Sequence, residues 1–117
     1  MPNGRILLVD DSEVLRLTTA ALLEDAGYQV IEAASLAQAR ASLGRSEIVA
    51  AVVDYHLGDG LGSELLEDVR AAHPRAAFIL LSGTSDALPE IGDLYLLKGM
   101  APEEMVARIG AAIAGRR

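Results

Sequence analysis

Five short blocks of mostly apolar residues recur along the chain, with turn signals and helical stretches between them. The blocks cover residues 6–9, 28–33, 48–53, 76–81 and 94–97. Apolar residues follow one another in these blocks instead of alternating with polar ones, which is typical of parallel strands that are buried on both faces. Helices must then cover each face of the sheet, so the pattern predicts a doubly wound α/β domain.

Four stretches between and after these blocks have residues at the spacing of amphipathic helices, and stripes of this kind normally pack against a sheet. Gly27, Gly44 and Pro74 indicate where the first three helices end, and Ser35 and Pro102 indicate where the second and the last begin. The residues at helical spacing are Val14, Leu17, Thr18, Ala21 and Leu22 in the first stretch, Leu36, Ala39 and Leu43 in the second, Leu61, Leu65, Leu66 and Val69 in the third, and Met105, Ile109, Ala112 and Ile113 in the last.

Length and composition narrow the class of protein. The chain has 117 residues, a length that predicts one domain without an effector domain. Its 10 basic and 17 acidic residues give a formal charge of −7, and without a basic cluster we expect no nucleic-acid partner. Cysteine is absent, which excludes thiolate metal sites and thiol nucleophiles. Because the longest apolar runs have six residues and no secretory signal precedes them, we expect a cytoplasmic protein without a membrane partner.

Polar or ionisable residues follow four of the five blocks directly. They are Asp10 with Asp11, Asp54, Ser82 and Lys98. The carboxyl ends of parallel strands meet at one edge of the sheet, so we expect these side chains to converge on one pocket. Three carboxylates repel one another unless something neutralises them, and oxygen ligands suit Mg²⁺. Together with a lysine and a hydroxyl, the set predicts a site that accepts a phosphoryl group.

The motifs at these strand ends resemble the receiver domain of two-component response regulators, and the resemblance covers the whole chain. The motifs are LLVDDS at residues 7–12, VVDYHL followed by GDGLG at residues 52–62, LLSG at residues 80–83 and YLLK at residues 95–98. The resemblance implies a flavodoxin-like five-stranded parallel sheet of order 2-1-3-4-5. It also implies a signalling phosphoacceptor rather than an enzyme, with a sensor histidine kinase or histidine phosphotransfer protein as donor and a downstream protein as target.

The resemblance further implies a role for each acidic residue. Asp54 would accept the phosphoryl group. Asp10 and Asp11 would hold Mg²⁺, joined by Asp54 and by the backbone carbonyl of His56. Taken singly, an aspartate after a strand is usually a turn or helix-capping residue, so the functional interpretation depends on the joint placement. The imidazole of His56 either lies over the site and affects the access of water or belongs to a surface loop.

Other residues receive roles by the same resemblance. Ser82 and Lys98 would bind phosphoryl oxygens, and Gly83 would leave an open path to the site. Tyr95 would be the aromatic switch that turns inward once Ser82 moves toward the phosphate. The alternative for Tyr95 is a half-buried strand aromatic without a switching role.

The chain departs from the family pattern at two places. Relatives usually have a full fourth helix before the lysine, but here only 15 residues, 83–97, separate Ser82 from Lys98. We therefore expect the fourth helix to be shortened or missing, on a face that relatives commonly use for output. Gly99 follows Lys98 where relatives usually have a proline with a cis bond. Because a cis peptide without proline costs about 3 kcal/mol, we expect a trans bond here.

Three functions are compatible with these observations. The first is a stand-alone receiver that is phosphorylated and acts by protein contact. The second is a receiver-like interaction scaffold whose output is independent of phosphorylation. The third is a small phosphohydrolase with an aspartate nucleophile, although His56 stands where such enzymes place a second aspartate. Either a monomer or a phosphorylation-dependent dimer is compatible with the small residues Ala107, Ala111 and Ala114 on the outer side of the last helix.

Overall fold

The computed structural model describes residues 3–83 and 92–116, and its centre is a five-stranded parallel sheet. The strands are β1 (Arg5–Val9), β2 (Gln29–Ala33), β3 (Ala50–Asp54), β4 (Ala77–Ser82) and β5 (Leu94–Leu97). Their order across the sheet is β2-β1-β3-β4-β5, with parallel pairing throughout. The predicted flavodoxin-like fold and strand order are therefore confirmed.

Helices cover both faces of this sheet. They are α1 (Glu13–Asp25), α2 (Leu36–Leu43), α3 (Leu66–Ala72) and α4 (Pro102–Arg116), and a 3₁₀ turn, Gly62–Leu65, precedes α3. A small antiparallel hairpin, His56–Leu57 paired with Gly60–Leu61, follows β3. Ser35 caps α2 as predicted, because its hydroxyl accepts a hydrogen bond from the Gln38 N–H. The predicted shortening of the helix between β4 and β5 concerns residues 84–91, which lie outside the described residues.

Two hydrophobic cores form, one on each face. Alternate residues of β1 show the division, since Leu7 and Val9 join the core under α2 and α3 while Ile6 and Leu8 join the core under α1 and α4. All four of these side chains are buried. Because both faces of β1, β3 and β4 are covered, polar side chains on these strands are confined to their ends.

The residues predicted for the buried face of the first helix, Val14, Leu17, Thr18, Ala21 and Leu22, are not the buried residues of α1. Val14 and Leu17 are 74% and 52% exposed, whereas Ala20 and Leu23 are the buried residues of this helix. Two sets of apolar residues share the helix, and spacing alone does not distinguish the set that meets the sheet. The outer face of α1 is consequently apolar and open.

Two other expectations about burial are wrong. Leu61 lies in the hairpin, not in a helix, and is exposed. The strands at the two edges of the sheet are also less covered than a continuously apolar block predicts. Gln29 and Glu32 of β2 and Leu97 of β5 are exposed, because an edge strand has a neighbour on one side only.

The connection from β5 into α4 has the predicted backbone. No peptide bond of the described residues is cis, which includes the bond between Lys98 and Gly99. Pro102 lies in the first turn of α4, and Ile109 and Ile113 are its buried residues, as predicted. Among the described residues, no helix has the length and apolar character needed to cross a bilayer.

Candidate functional site

Three carboxylates meet at the carboxyl edge of the sheet. Asp10 and Asp11 follow β1, and Asp54 is the last residue of the neighbouring strand β3. One oxygen from each lies within 4.8 Å of the others. Asp10 and Asp54 are buried, with 1% and 5% of their surface exposed, while Asp11 is exposed. The predicted convergence of these residues is therefore present, with Asp11 on the solvent side.

Lys98 reaches this cluster from the end of β5. Its Nζ donates to Oδ2 of Asp54 at 2.9 Å and lies 3.5 Å from Oδ2 of Asp10. Lys98 is the only lysine in the sequence, and it supplies one positive charge against the three acidic groups. The excess of negative oxygens in a partly buried pocket fits a divalent cation such as Mg²⁺, which binds hard carboxylate oxygens together with water and phosphate oxygens.

The pKa values of Asp54 and Lys98 reflect their burial and their closeness to each other. Burial raises the pKa of Asp54, and nearby Asp10 adds to the rise, although the hydrogen bond and charge of Lys98 act in the opposite direction. Burial by itself lowers the pKa of Lys98, but the hydrogen bond and charge of Asp54 and the charge of Asp10 leave it above the ordinary value. The ionised Asp54 is thus only partly compensated by Lys98, and a bound cation would favour its charged form.

The loop after Asp54 is folded tightly against the site. The Tyr55 N–H donates to the Leu81 carbonyl at 2.8 Å, and the Gly62 N–H donates to the Tyr55 carbonyl at 2.7 Å. A Cβ at Gly62 would overlap the Asp54 backbone oxygen, so glycine permits this close approach. The His56 N–H faces Asp54 Oδ1 at 3.4 Å, and the exposed His56 ring lies edge-on to Tyr55. The functions predicted for the His56 carbonyl and imidazole stay predictions.

Ser82, Gly83 and Tyr95 lie on or directly after the strands β4 and β5. Ser82 ends β4, is fully buried, and accepts the Lys98 N–H on its backbone carbonyl at 2.7 Å. Gly83 is exposed, with open space where a side chain would be. Tyr95 is half-buried in β5 and packs against the core beneath α2 and α3. Phosphoryl binding, access and switching by these residues stay predictions.

Two contacts at this edge were not predicted from the sequence. Arg16 donates from Nη1 to the backbone carbonyl of Asp10 at 2.9 Å and forms an ion pair with Glu32 at 3.1 Å. Asp59, in the hairpin, accepts the N–H groups of Leu36 and Ala37 at the start of α2. The one sequence signal for the contacts of Arg16 is a basic residue in the second turn after an acidic strand end. No local signal points to the contacts of Asp59.

Residues 6–110 match the family described as the response regulator receiver domain. The chain belongs to this family. It is 34% identical over 116 residues to the alginate biosynthesis transcriptional regulatory protein AlgB of Pseudomonas aeruginosa, covering 94% of this chain and 25% of that protein. It is 36% identical over 121 residues to the transcriptional regulatory protein GltR of Pseudomonas aeruginosa, covering 95% of this chain and 50% of that protein. The receiver therefore spans a quarter to a half of these relatives, and its limits as a stand-alone domain stay a prediction.

Solved structures show the same fold. A CheY-like receiver domain protein from Methanospirillum hungatei has a TM-score of 0.86 at 28% identity, covering 96% of this chain and 94% of that one. A response regulator from Burkholderia pseudomallei, solved with a phosphorylated aspartic acid, a calcium ion and citrate, has a TM-score of 0.84 at 27% identity, covering 97% of this chain and 70% of that one. The chain is thus a receiver domain of a two-component signalling system.

Proposed function

We propose that this receiver accepts a phosphoryl group on Asp54 from the phosphohistidine of a sensor kinase or a phosphotransfer protein, in a reaction that depends on Mg²⁺, and signals by protein contact. The observation that supports the proposal is the meeting of Asp10, Asp11 and Asp54 with Lys98 at one edge of the sheet. Such a set supplies a nucleophile, a cation site and a fixed positive charge at one point, which phosphoryl transfer requires.

In this reaction the phosphoryl group would pass directly from the imidazole of the donor to the carboxylate of Asp54. An oxygen of Asp54 attacks phosphorus, the bond between phosphorus and the imidazole nitrogen breaks, and its electron pair returns to the imidazole. Mg²⁺ held by Asp10, Asp11 and Asp54 would neutralise charge on the phosphoryl oxygens. Lys98, which donates a hydrogen bond to Asp54 in this structure, would donate to a phosphoryl oxygen instead, and the Ser82 hydroxyl would donate to another phosphoryl oxygen. The product is an acyl phosphate on Asp54.

The donor protein would dock on the open face of α1. Val14, Leu15 and Leu17 are exposed there, and an apolar groove of about 170 Å³ between α1 and α4 leads to Asp10 and Lys98. A donor whose histidine must reach Asp54 has to cover this edge of the sheet, so the neighbouring apolar face is the surface it would bury.

Phosphorylation is tested by intact mass after incubation with acetyl phosphate and Mg²⁺. We expect the wild type to gain one phosphoryl mass, Asp54→Asn to gain none, and Asp25→Asn, an exposed acidic control at the end of α1, to behave as the wild type. Labelling of Asp54→Asn, or an unchanged wild-type mass with both acetyl phosphate and a phosphorylated protein donor, would contradict the proposal. Repeated turnover of phosphate esters would favour a phosphohydrolase instead.

The docking surface is tested separately with Leu17→Asp. Its side chain points away from the sheet, so we expect labelling by acetyl phosphate to persist while labelling by a phosphorylated protein donor falls at least tenfold. Glu24→Gln, on an exposed position of the same helix, is the control. Equal loss with both donors would indicate damage to the site rather than to docking.

A further inference from the structure

We propose that Arg16, oriented by Glu32, is a positioning residue that holds the backbone carrying Asp10 and Asp11 in its cation-binding conformation. The part of the test that measures Mg²⁺ binding rests on the proposed function. Arg16 Nη1 donates to the Asp10 carbonyl at 2.9 Å, and Nε donates to Glu32 Oε1 at 3.1 Å. Arg16 therefore connects α1, the end of β1 and the edge strand β2.

The backbone groups of Asp10 and one oxygen of its carboxylate each have a hydrogen-bond partner within the molecule. Its N–H donates to the Ala33 carbonyl of β2 at 3.1 Å, and its Oδ1 accepts the Ser12 N–H at 2.9 Å. Arg16 binds the remaining carbonyl, and the Arg16 N–H donates to the Ser12 carbonyl at 2.9 Å. The Arg16 guanidinium thus connects α1 back to the end of β1, and Asp11 lies in the turn between these two points.

The shape of the guanidinium makes the two contacts depend on each other. Arg16 is largely shielded, with its side chain 16% exposed, and its planar fork presents Nε and Nη1 at a fixed angle. Glu32 on Nε therefore determines where Nη1 points. A lysine has the same charge, but its single nitrogen cannot bind Glu32 and the Asp10 carbonyl in this geometry.

A positioning role and a purely electrostatic role predict opposite results. If Arg16 acted only as a positive charge beside the carboxylates, its removal would tighten the binding of Mg²⁺. If Arg16 positions the turn, its removal weakens the binding of Mg²⁺ even though a repulsive charge is lost. Outer residues that orient metal ligands typically contribute about tenfold or more to metal affinity.

The test measures Mg²⁺ affinity by calorimetry for the wild type, Arg16→Lys, Arg16→Ala and Glu32→Gln. We expect about tenfold weaker binding in both Arg16 variants and a smaller loss in Glu32→Gln, which leaves the bond from Arg16 to the Asp10 carbonyl in place. Arg40→Lys is the control, because Arg40 pairs with Asp68 at 3.0 Å between α2 and α3, away from the site. Labelling by acetyl phosphate at saturating Mg²⁺ should return to the wild-type rate in Arg16→Lys, since the phosphoryl-accepting groups are unchanged.

A second readout is independent of the metal. Amide hydrogen exchange at Asp10 and Ser12 without Mg²⁺ should accelerate in Arg16→Lys and Glu32→Gln, with the exchange of β3 and β4 unchanged. Wild-type Mg²⁺ affinity in Arg16→Lys, or tighter binding in Arg16→Ala, would overturn the inference. If the wild type binds no Mg²⁺, the proposed function fails, and unchanged exchange in both variants would overturn the positioning role on its own.

Discussion

The two edges of the sheet hold opposite arrangements of charge. At the carboxyl edge, the carboxylates of Asp10, Asp11 and Asp54 lie together, and Lys98 pairs with Asp10 and Asp54. Near the amino edge, the carboxylate of Asp93 forms ion pairs with two arginines, Arg70 and Arg116. Both clusters use ion pairs between distant parts of the chain, but the cluster around Asp54 has more acidic than basic groups and the cluster around Asp93 has more basic than acidic groups.

The amino edge is arranged as a structural clamp. Asp93 Oδ2 accepts the Phe78 N–H at 2.8 Å and faces Arg70 Nη2 at 3.3 Å, while Arg116 Nη1 lies 3.9 Å from Oδ1. The Asp93 N–H donates back to the Phe78 carbonyl at 2.8 Å, and Arg116 Nη2 donates to the Pro74 carbonyl. Arg70 Nη1 and Arg116 Nε are buried without hydrogen-bond partners in the described part of the chain. Asp93 thus joins β4, the entry to β5, α3 and the end of α4.

The difference shows which edge stabilises the fold and which is available for a ligand. A carboxylate that receives a backbone N–H and two guanidinium groups is fully compensated, so its removal leaves donors unpaired. At the carboxyl edge, burial is the main cause of the raised pKa of Asp54 and the charge of Asp10 adds to it, so Lys98 compensates the ionised carboxylate only in part. The same residue type therefore contributes stability at one edge and lowers it at the other.

The largest expected effect is at the amino edge. Asp93→Ala should lower the free energy of unfolding by about 2 kcal/mol in urea, because the Phe78 N–H and Arg70 lose a charged acceptor and Arg116 loses an ion-pair partner. Arg40→Ala, which removes an exposed ion pair with Asp68, should change it by about 0.5 kcal/mol or less. A loss at Asp93 no larger than that of the control would remove the distinction between the two edges.

Magnesium should stabilise only through the carboxyl edge. At a concentration about ten times its dissociation constant, Mg²⁺ should raise the free energy of unfolding by about 1.4 kcal/mol in the wild type. The increment should persist in Asp93→Ala and disappear in Asp11→Asn, as measured by thermal unfolding with and without the ion. An equal increment in Asp11→Asn would show that the stabilisation arises elsewhere.

Removing the phosphoacceptor should stabilise the metal-free protein. Because the pKa of Asp54 is raised, the folded state binds its proton more tightly than the unfolded state, and stability falls as pH rises from the ordinary value of 3.8 through the raised pKa. Asp54→Asn avoids this loss and should gain about 1 kcal/mol at neutral pH, with little difference below the ordinary pKa. Urea unfolding of both proteins across this pH range checks the sign, and a destabilised Asp54→Asn at neutral pH would contradict it.

The smallest effect is expected at Asp59, close to the same edge. Hydrogen bonds from the N–H groups of Leu36 and Ala37 lower the pKa of this exposed carboxylate, with the Leu36 bond contributing most. Its contribution to stability is present above the ordinary pKa and is lost as pH falls through the lowered pKa. Asp59→Asn should therefore unfold at a slightly lower temperature than the wild type at neutral pH, and the two should converge in acid. A higher unfolding temperature at neutral pH would show that acidic residues near this edge share the disadvantage of Asp54.

Much of the fold and site follows from local sequence pattern. The five strands lie within about two residues of the apolar blocks, because burial on both faces requires continuous apolar segments. The convergence of Asp10, Asp54 and Lys98 follows from their positions at strand ends, since parallel strands bring those ends to one edge. The buried face of α1 could not be predicted, because two apolar sets share that helix and packing selects between them.

The amino-acid sequence alone therefore indicates which residues lie at the ends of buried strands and which ionisable groups gather there. Tertiary structure decided how those groups are held. Arg16 with Glu32, Asp59 with the start of α2, and Asp93 with its two arginines pair residues 16 to 23 positions apart. Such pairs depend on how helices and loops pack on the sheet, and local spacing carries no signal for contacts that only the packed chain brings within hydrogen-bonding distance.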